Sequence, residues 1–180
     1  MRLRTAVLGW LAVPAMAGVS AAAEPRYELV ASTLTYHVSH LVHTVQGTSR
    51  AGRGKGVCKA GVCEFLVAAP LATFDSGDSN RDAHMLQCVR GGEFPLVTVR
   101  TKAPDAASAE LVVDLAIEFA GRKKTYVGVR FTRKDEGDRV HLTGTLPLVL
   151  TDFGVERPSL LTIPIRDAAP VDVDLLWLRR

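Results

Sequence analysis

From Arg26 to Trp177 apolar and polar residues alternate in run after run, and this constrains the fold more than any other feature of the chain. Successive side chains of a strand point to opposite faces, so a period of two marks strands with one face buried. The clearest run sets Leu111, Val113, Leu115, Ile117 and Phe119 against Val112, Asp114, Ala116 and Glu118. An earlier one sets Leu34, Tyr36, Val38 and His40 against Thr33, Thr35, His37 and Ser39. Glu64 to Ala69 reads as a short strand closed by Pro70, with Phe65 and Val67 in phase. Leu96 to Thr101 alternates as well, and Val127, Val129 and Phe131 form the apolar face of the segment Thr125 to Arg133. One face of Val140 to Leu150 is apolar throughout, which predicts a long strand at an edge, or bulged, where Pro147 falls. The last strand is expected near Val171 to Trp177. Gln46 to Gly56, rich in glycine and basic residues, reads either as a loop or as a bent strand.

These runs amount to about eight strands joined mostly by short turns, the pattern of an antiparallel, all-β sandwich or barrel. Periodicity does not choose between the two. The stretch Phe74 to Leu86 is the exception to the alternation and the one place where a helix is expected. Ser79-Asn80-Arg81-Asp82 fits a capping box in its Asp form, with Ser79 as the cap and Asp82 at the positive end of the helix. Met85, Leu86 and Val89 would then face the apolar interior, and Gly91-Gly92 would end the helix.

The N-terminus belongs to another class of segment. Arg2 and Arg4 precede a mostly apolar stretch, Ala6 to Val19, and Ala21-Ala22-Ala23 supplies small residues for cleavage. Residues 1–23 therefore read as a secretory signal peptide, which leaves 24–180 as one exported, periplasmic domain. The apolar stretch falls short of the roughly 20 residues a spanning helix needs, and no later stretch supplies them. Loss of Arg2 and Arg4 lowers the formal charge from +3 to +1, so the basic balance gives no case for nucleic-acid binding. The cluster Gly52-Arg53-Gly54-Lys55-Gly56 makes a basic rim compatible with transient membrane contact.

Export permits disulfides. Cys58 and Cys63 flank a short glycine-containing connection, and a bridge across that hairpin end is the expected pairing. With three cysteines, pairings of either one to Cys88 stay open.

Residues able to carry chemistry do not converge. On a strand His37 and His43 share a face while His40 lies on the other, so the three make no common metal site. His84 and Cys88 are spaced i, i+4, without a second ligand pair. Asp82 and His84 point to different sides of a helix, and no serine sits in a nucleophile elbow. The glycines around Lys55 are in the wrong order for a phosphate loop. The expectation is a protein that is not an enzyme and holds no metal or cofactor.

Several stretches, in order, resemble the YceI-like polyisoprenoid-binding proteins. They are Ser32-Thr33-Leu34-Thr35-Tyr36-His37-Val38-Ser39-His40-Leu41, Thr44-Val45-Gln46-Gly47, and Phe74-Asp75-Ser76-Gly77 with Asn80-Arg81-Asp82-Ala83-His84-Met85. Phe94-Pro95-Leu96-Val97-Thr98-Val99 and Phe153-Gly154-Val155-Glu156-Arg157-Pro158 follow. The turn Ala120 to Lys124, the glycine-rich second strand and the Cys58/Cys63 pair depart from the family pattern.

The resemblance implies an antiparallel, lipocalin-like β-barrel of about eight strands with one short helix. It also implies binding of a long isoprenoid lipid, such as a quinone, inside the barrel. The residues expected to line that interior are Leu34, Tyr36, Val38, Phe65, Val67, Met85, Val113, Leu115, Ile117, Val127, Val129 and Phe131. Asn80, Arg81, Asp82 and His84 are expected to form a polar brace near the barrel mouth. The alternative is a periplasmic stress-response or interaction module whose barrel is filled by its own side chains.

Overall fold

Strand β1, Arg26–Ser39, shows how the alternation becomes a barrel wall. Tyr27 and Leu29 are buried, then the register shifts between Leu29 and Ala31, and the buried phase resumes at Ser32 and Leu34. One extra residue at this bulge bends the strand, so its two halves can follow a curved sheet. The computed structural model describes residues 24–40, 43–160 and 163–180. The expected signal peptide, residues 1–23, lies outside them.

Ten further strands follow. These are β2 Thr44–Ser49, β3 Arg53–Lys59, β4 Val62–Pro70, β5 Leu96–Pro104 and β6 Glu110–Phe119. After them come β7 Arg122–Glu136, β8 Arg139–Leu146, the two-residue strands β9 Ser159–Leu160 and β10 Ile163–Pro164, and β11 Val171–Arg179. All pairings are antiparallel, and the order β11-β8-β7-β6-β5-β4-β3-β1 closes on itself because β11 also pairs with β1. The result is an eight-stranded barrel, as expected. Closure gives each of these eight strands a partner on both sides over at least part of its length.

Gln46 to Gly56 forms a bent strand rather than a loop. β2 pairs with the far half of β1 and β3 with its first residues, on the same side, with a break at Arg50 to Gly52. The glycines have a packing reason. A Cβ on Gly54 would stand 2.7 Å from the Trp177 ring, and one on Gly56 would overlap the ring of Phe65. Aromatic side chains from neighbouring strands lie across the bare backbone of β3. Phe65 packs there against Tyr27 in a tilted arrangement and edge-on against Trp177, with ring centroids 5.3 and 5.2 Å apart.

Three local expectations are corrected. The strand expected to reach Leu150 stops at Leu146, because Pro147 has no N–H to give the ladder. Leu148 and Leu150 are nonetheless buried, held by Ala169 N–H donating to Leu148 O and Leu150 N–H donating to Asp167 O. The helix α1, Ser79–Cys88, is capped by Asp78 and not by Ser79: the Asp78 carboxylate accepts from the N–H groups of Asn80 and Arg81. Val127 lies outside, 78 % exposed. Leu115 pairs with Tyr126 but Val113 with Val129, so β7 carries an extra residue, with Gly128 at φ +67. That bulge shifts the phase, turning Tyr126 inward and Val127 outward.

α1 lies at the end of the barrel where β4 ends and β5 begins. Val89, just past its end, is buried, and Met85 and Leu86 pack against the core as expected. At the opposite end Cys58 and Cys63 are joined in a disulfide across the Ala60-Gly61 turn, and Cys88 is free.

Candidate functional site: an apolar cavity along the barrel axis

The inward rows do not fill the barrel. Between the residues packed beneath α1 and the aromatic cluster at the other end is a cavity of about 230 Å³. Nine of the twelve expected lining residues surround it: Leu34, Tyr36, Val38, Phe65, Val67, Met85, Val113, Leu115 and Phe131. Ile117 and Val129 also belong to the buried core but do not reach the cavity, and Val127 is outside for the reason given.

The inner faces of β5, β8 and β11 also line it, with Val97, Val99, Leu142, Val171, Val173 and Leu175, and Leu148, Leu150 and Ala169 add to the wall beyond β8. Those on the strands were legible in principle, since each continues the period of its own strand. Arg133 was less so. It follows Val129 and Phe131 in phase and lines the cavity at the disulfide end. Its guanidinium donates to both Asp135 carboxylate oxygens (2.7 and 2.9 Å) and to Ala106 O (2.9 Å), so a mostly buried cation is satisfied.

At the helix end Arg81 and Asp82, two of the four residues expected in a polar brace, converge on Ser76. The Asp82 carboxylate accepts from Ser76 N–H and, at 2.6 Å, from its hydroxyl. Arg81 donates from Nε to Ser76 Oγ (2.9 Å) and from Nη2 to Ser76 O (2.8 Å). Burial, then the nearby Asp82 carboxylate, pushes the Tyr36 phenol above its ordinary pKa. Tyr36 lines the cavity, so the brace sits directly against its helix end. His84 is apart from it, 3.7 Å from Cys88 Sγ, where burial raises the thiol pKa. Asn80 takes part only through its backbone N–H, which donates to Asp78.

The histidines disperse. His37 meets Asp172 at 2.8 Å on the outer surface, His141 meets Asp174 at 2.8 Å, and His40 Nε2 lies 3.2 Å from Ile163 O. Asp105 stands close to both bridged cysteines, but the disulfide occupies their sulfurs and leaves no thiolate for a metal. Among the described residues no helix is long and apolar enough to cross a membrane. The cavity wall is made almost wholly of apolar side chains, which suits it to holding hydrocarbon.

Solved structures of similar shape are known. BcnA from Burkholderia cenocepacia superposes with a TM-score of 0.67 at 16 % identity, covering 81 % of this chain and 95 % of that one. A polyisoprenoid binding domain from Saccharophagus degradans, implicated in plant cell wall breakdown, gives 0.64 at 17 % identity, with 86 % and 98 % covered. The Campylobacter jejuni YceI protein gives 0.60 at 13 % identity, with 77 % and 87 % covered. At such identities the likeness is one of fold. No curated protein sequence matches significantly. The model of the YceI-like domain matches residues 27–176.

Proposed function

Because the chain belongs to the YceI-like domain family, we propose that it binds a long isoprenoid lipid, such as a quinone, inside the barrel and acts as an exported carrier or sequestering protein. The observation that carries this reading is the apolar cavity enclosed by the barrel strands. A similar fold in the Saccharophagus degradans protein is described as a polyisoprenoid binding domain, which agrees with it.

The energetics are adequate without any polar motif. Burying one five-carbon isoprene unit is worth on the order of 4 kcal/mol at ~0.8 kcal/mol per carbon group. A few units offset the roughly 4–15 kcal/mol lost in association and ordering. Shape and apolarity then supply most of the affinity. Carriage requires no bond to be made or broken, and no catalytic role is assigned to the Ser76, Arg81 and Asp82 cluster. In the alternative, an interaction module with a filled barrel, the axis would be occupied by side chains; the cavity speaks against it.

The test is mass spectrometry of an organic extract of the purified protein, followed by melting curves with added polyprenol or quinone. A co-purifying isoprenoid and a raised melting temperature are expected. An extract without lipid, together with unchanged melting at saturating ligand, overturns the reading. Export is tested separately by N-terminal sequencing of protein from the periplasmic fraction, which should begin at Glu24.

A further inference from the structure

The barrel wall has a seam where β5 and β6 are joined over only part of their length. β5 and β6 pair only from Thr98↔Glu118 to Thr101↔Leu115. Beyond that point β5 stays paired with β4, through Glu64↔Lys102, Cys63↔Ala103 and Val62↔Pro104. β6 stays paired with β7, through Leu111↔Phe131 and Val113↔Val129. Pro104 has no N–H for a ladder. Thr101 Oγ1 donates to Asp114 O at 2.8 Å, and Gly128 N–H donates to the Asp114 carboxylate at 2.8 Å. The connecting loop is tied elsewhere, Asp105 N–H donating to Gly61 O and Arg133 to the carbonyls of Ala106 and Ala109.

A groove runs along the outer face of this seam. Phe65, Thr101 and Val113 line both the groove and the central cavity, so the two spaces abut through the gap. The groove has an unusual rim for an outer surface: Val57 and Val112 are 46 % and 49 % exposed. Lys55, Arg100 and Lys102 line it with Glu64 and Asp114. Lys102 is paired with Glu64 at 2.6 Å, whereas among the described residues Lys55 and Arg100 form no ion pair.

We propose that the seam between β5 and β6 is a lateral portal: an amphiphile's hydrocarbon chain passes between Thr101 and Val113 into the cavity, and its anionic, phosphate-like head stays outside over Lys55 and Arg100. This rests on the chain-binding reading above and adds the route and the head chemistry. Apolar Val57 and Val112 flank the passage, so the tail remains in apolar contact as it crosses, while the two cations meet the head with charge-assisted hydrogen bonds.

Trp177 lines the cavity and, with Trp10 replaced by Phe, is the only tryptophan of the full chain, so its fluorescence reports entry. In a Cys88→Ser background, Lys102→Cys with Val112→Cys places two thiols across the seam. One sample is bridged by a short bis-maleimide, and a control has both thiols blocked singly. With geranylgeranyl phosphate as probe, bridging should slow uptake and release by about tenfold each and leave their ratio unchanged, as a gate does. Equal rates in the bridged and blocked proteins overturn the portal. In a second arm, Lys55→Gln with Arg100→Gln should weaken geranylgeranyl phosphate binding by about tenfold and leave geranylgeraniol unaffected. Equal effects on both probes, or none, overturn the head placement. Absence of any Trp177 response to either probe in the unmodified chain overturns the chain-binding reading itself.

Discussion

Arg133 grips Asp135 with two parallel hydrogen bonds, Nε to Oδ1 at 2.7 Å and Nη2 to Oδ2 at 2.9 Å, at the edge of a cavity otherwise walled by hydrocarbon. The Arg133 side chain is only 11 % exposed, so its charge depends on that partner and on Ala106 O. Asp135→Asn keeps the shape and removes the countercharge. A mostly buried cation left uncompensated should cost ~2 kcal/mol, moderated by the partial exposure of Asp135. Urea unfolding checks this, and an unchanged midpoint would show the pair to be ornamental.

Tyr126 makes a second polar junction, between β7 and the segment after Pro147. Its hydroxyl donates to Asp152 at 3.0 Å and accepts from Val149 N–H at 3.0 Å, and its ring stacks near Phe153. Burial above all pushes its pKa from 10.0 to about 12. The unfolded phenol ionises near 10, before the folded one. Its contribution to stability is therefore complete below pH 10 and lost as the pH rises to about 12. Tyr126→Phe should lose ~1–3 kcal/mol at neutral pH, because Val149 N–H is left without its acceptor. The variant should also show a shallower fall in stability above pH 10 than the parent, read by chemical denaturation at each pH.

Gly56→Val tests the reason for the glycine-rich strand. A Cβ there overlaps the Phe65 ring, which is already packed against Tyr27 and Trp177. Overpacking of this kind costs ~1–3 kcal/mol. A thermal melt no lower than that of the parent would mean that the rings move aside at little cost.

The bulge at Gly128 makes opposite predictions for two valines that alternation alone treats as equivalent. Val127→Asp places a carboxylate in solvent and should change stability by less than ~0.5 kcal/mol. Val129→Asp places one in the core and should cost several kcal/mol, or prevent folding. Expression and melting of the pair decide the matter; similar tolerance would mean that the phase shift is absent.

The alternation marked most of the long strands, and with the resemblance it led to the barrel and to nine of the residues that line the cavity. Side-chain direction follows from backbone parity, which is local, so Leu34, Phe65, Val113 and Phe131 could be placed inward from the chain alone. Parity fails wherever one residue is inserted, and the insertion opposite Val113 and Leu115 depends on how β7 meets β6. The cap was misplaced by one residue for a similar reason. Asp78 and Ser79 are both good caps by type, and the structure shows the helix starting at Ser79 with extended Asp78 accepting from Asn80 and Arg81.

The chain alone shows which face of most strands is apolar and where the one helix lies, and it favours Cys58 with Cys63 while leaving pairings to Cys88 open. The tertiary structure alone decided that the faces enclose a space instead of filling it, since that depends on how inward side chains from the barrel strands meet across the axis. It alone placed Arg133 beside Asp135 at one end of the cavity and parted β5 from β6 after Thr101. Those relations join residues far apart in the chain, and hydrogen-bond pairing between strands is a property of their meeting that neither strand carries alone.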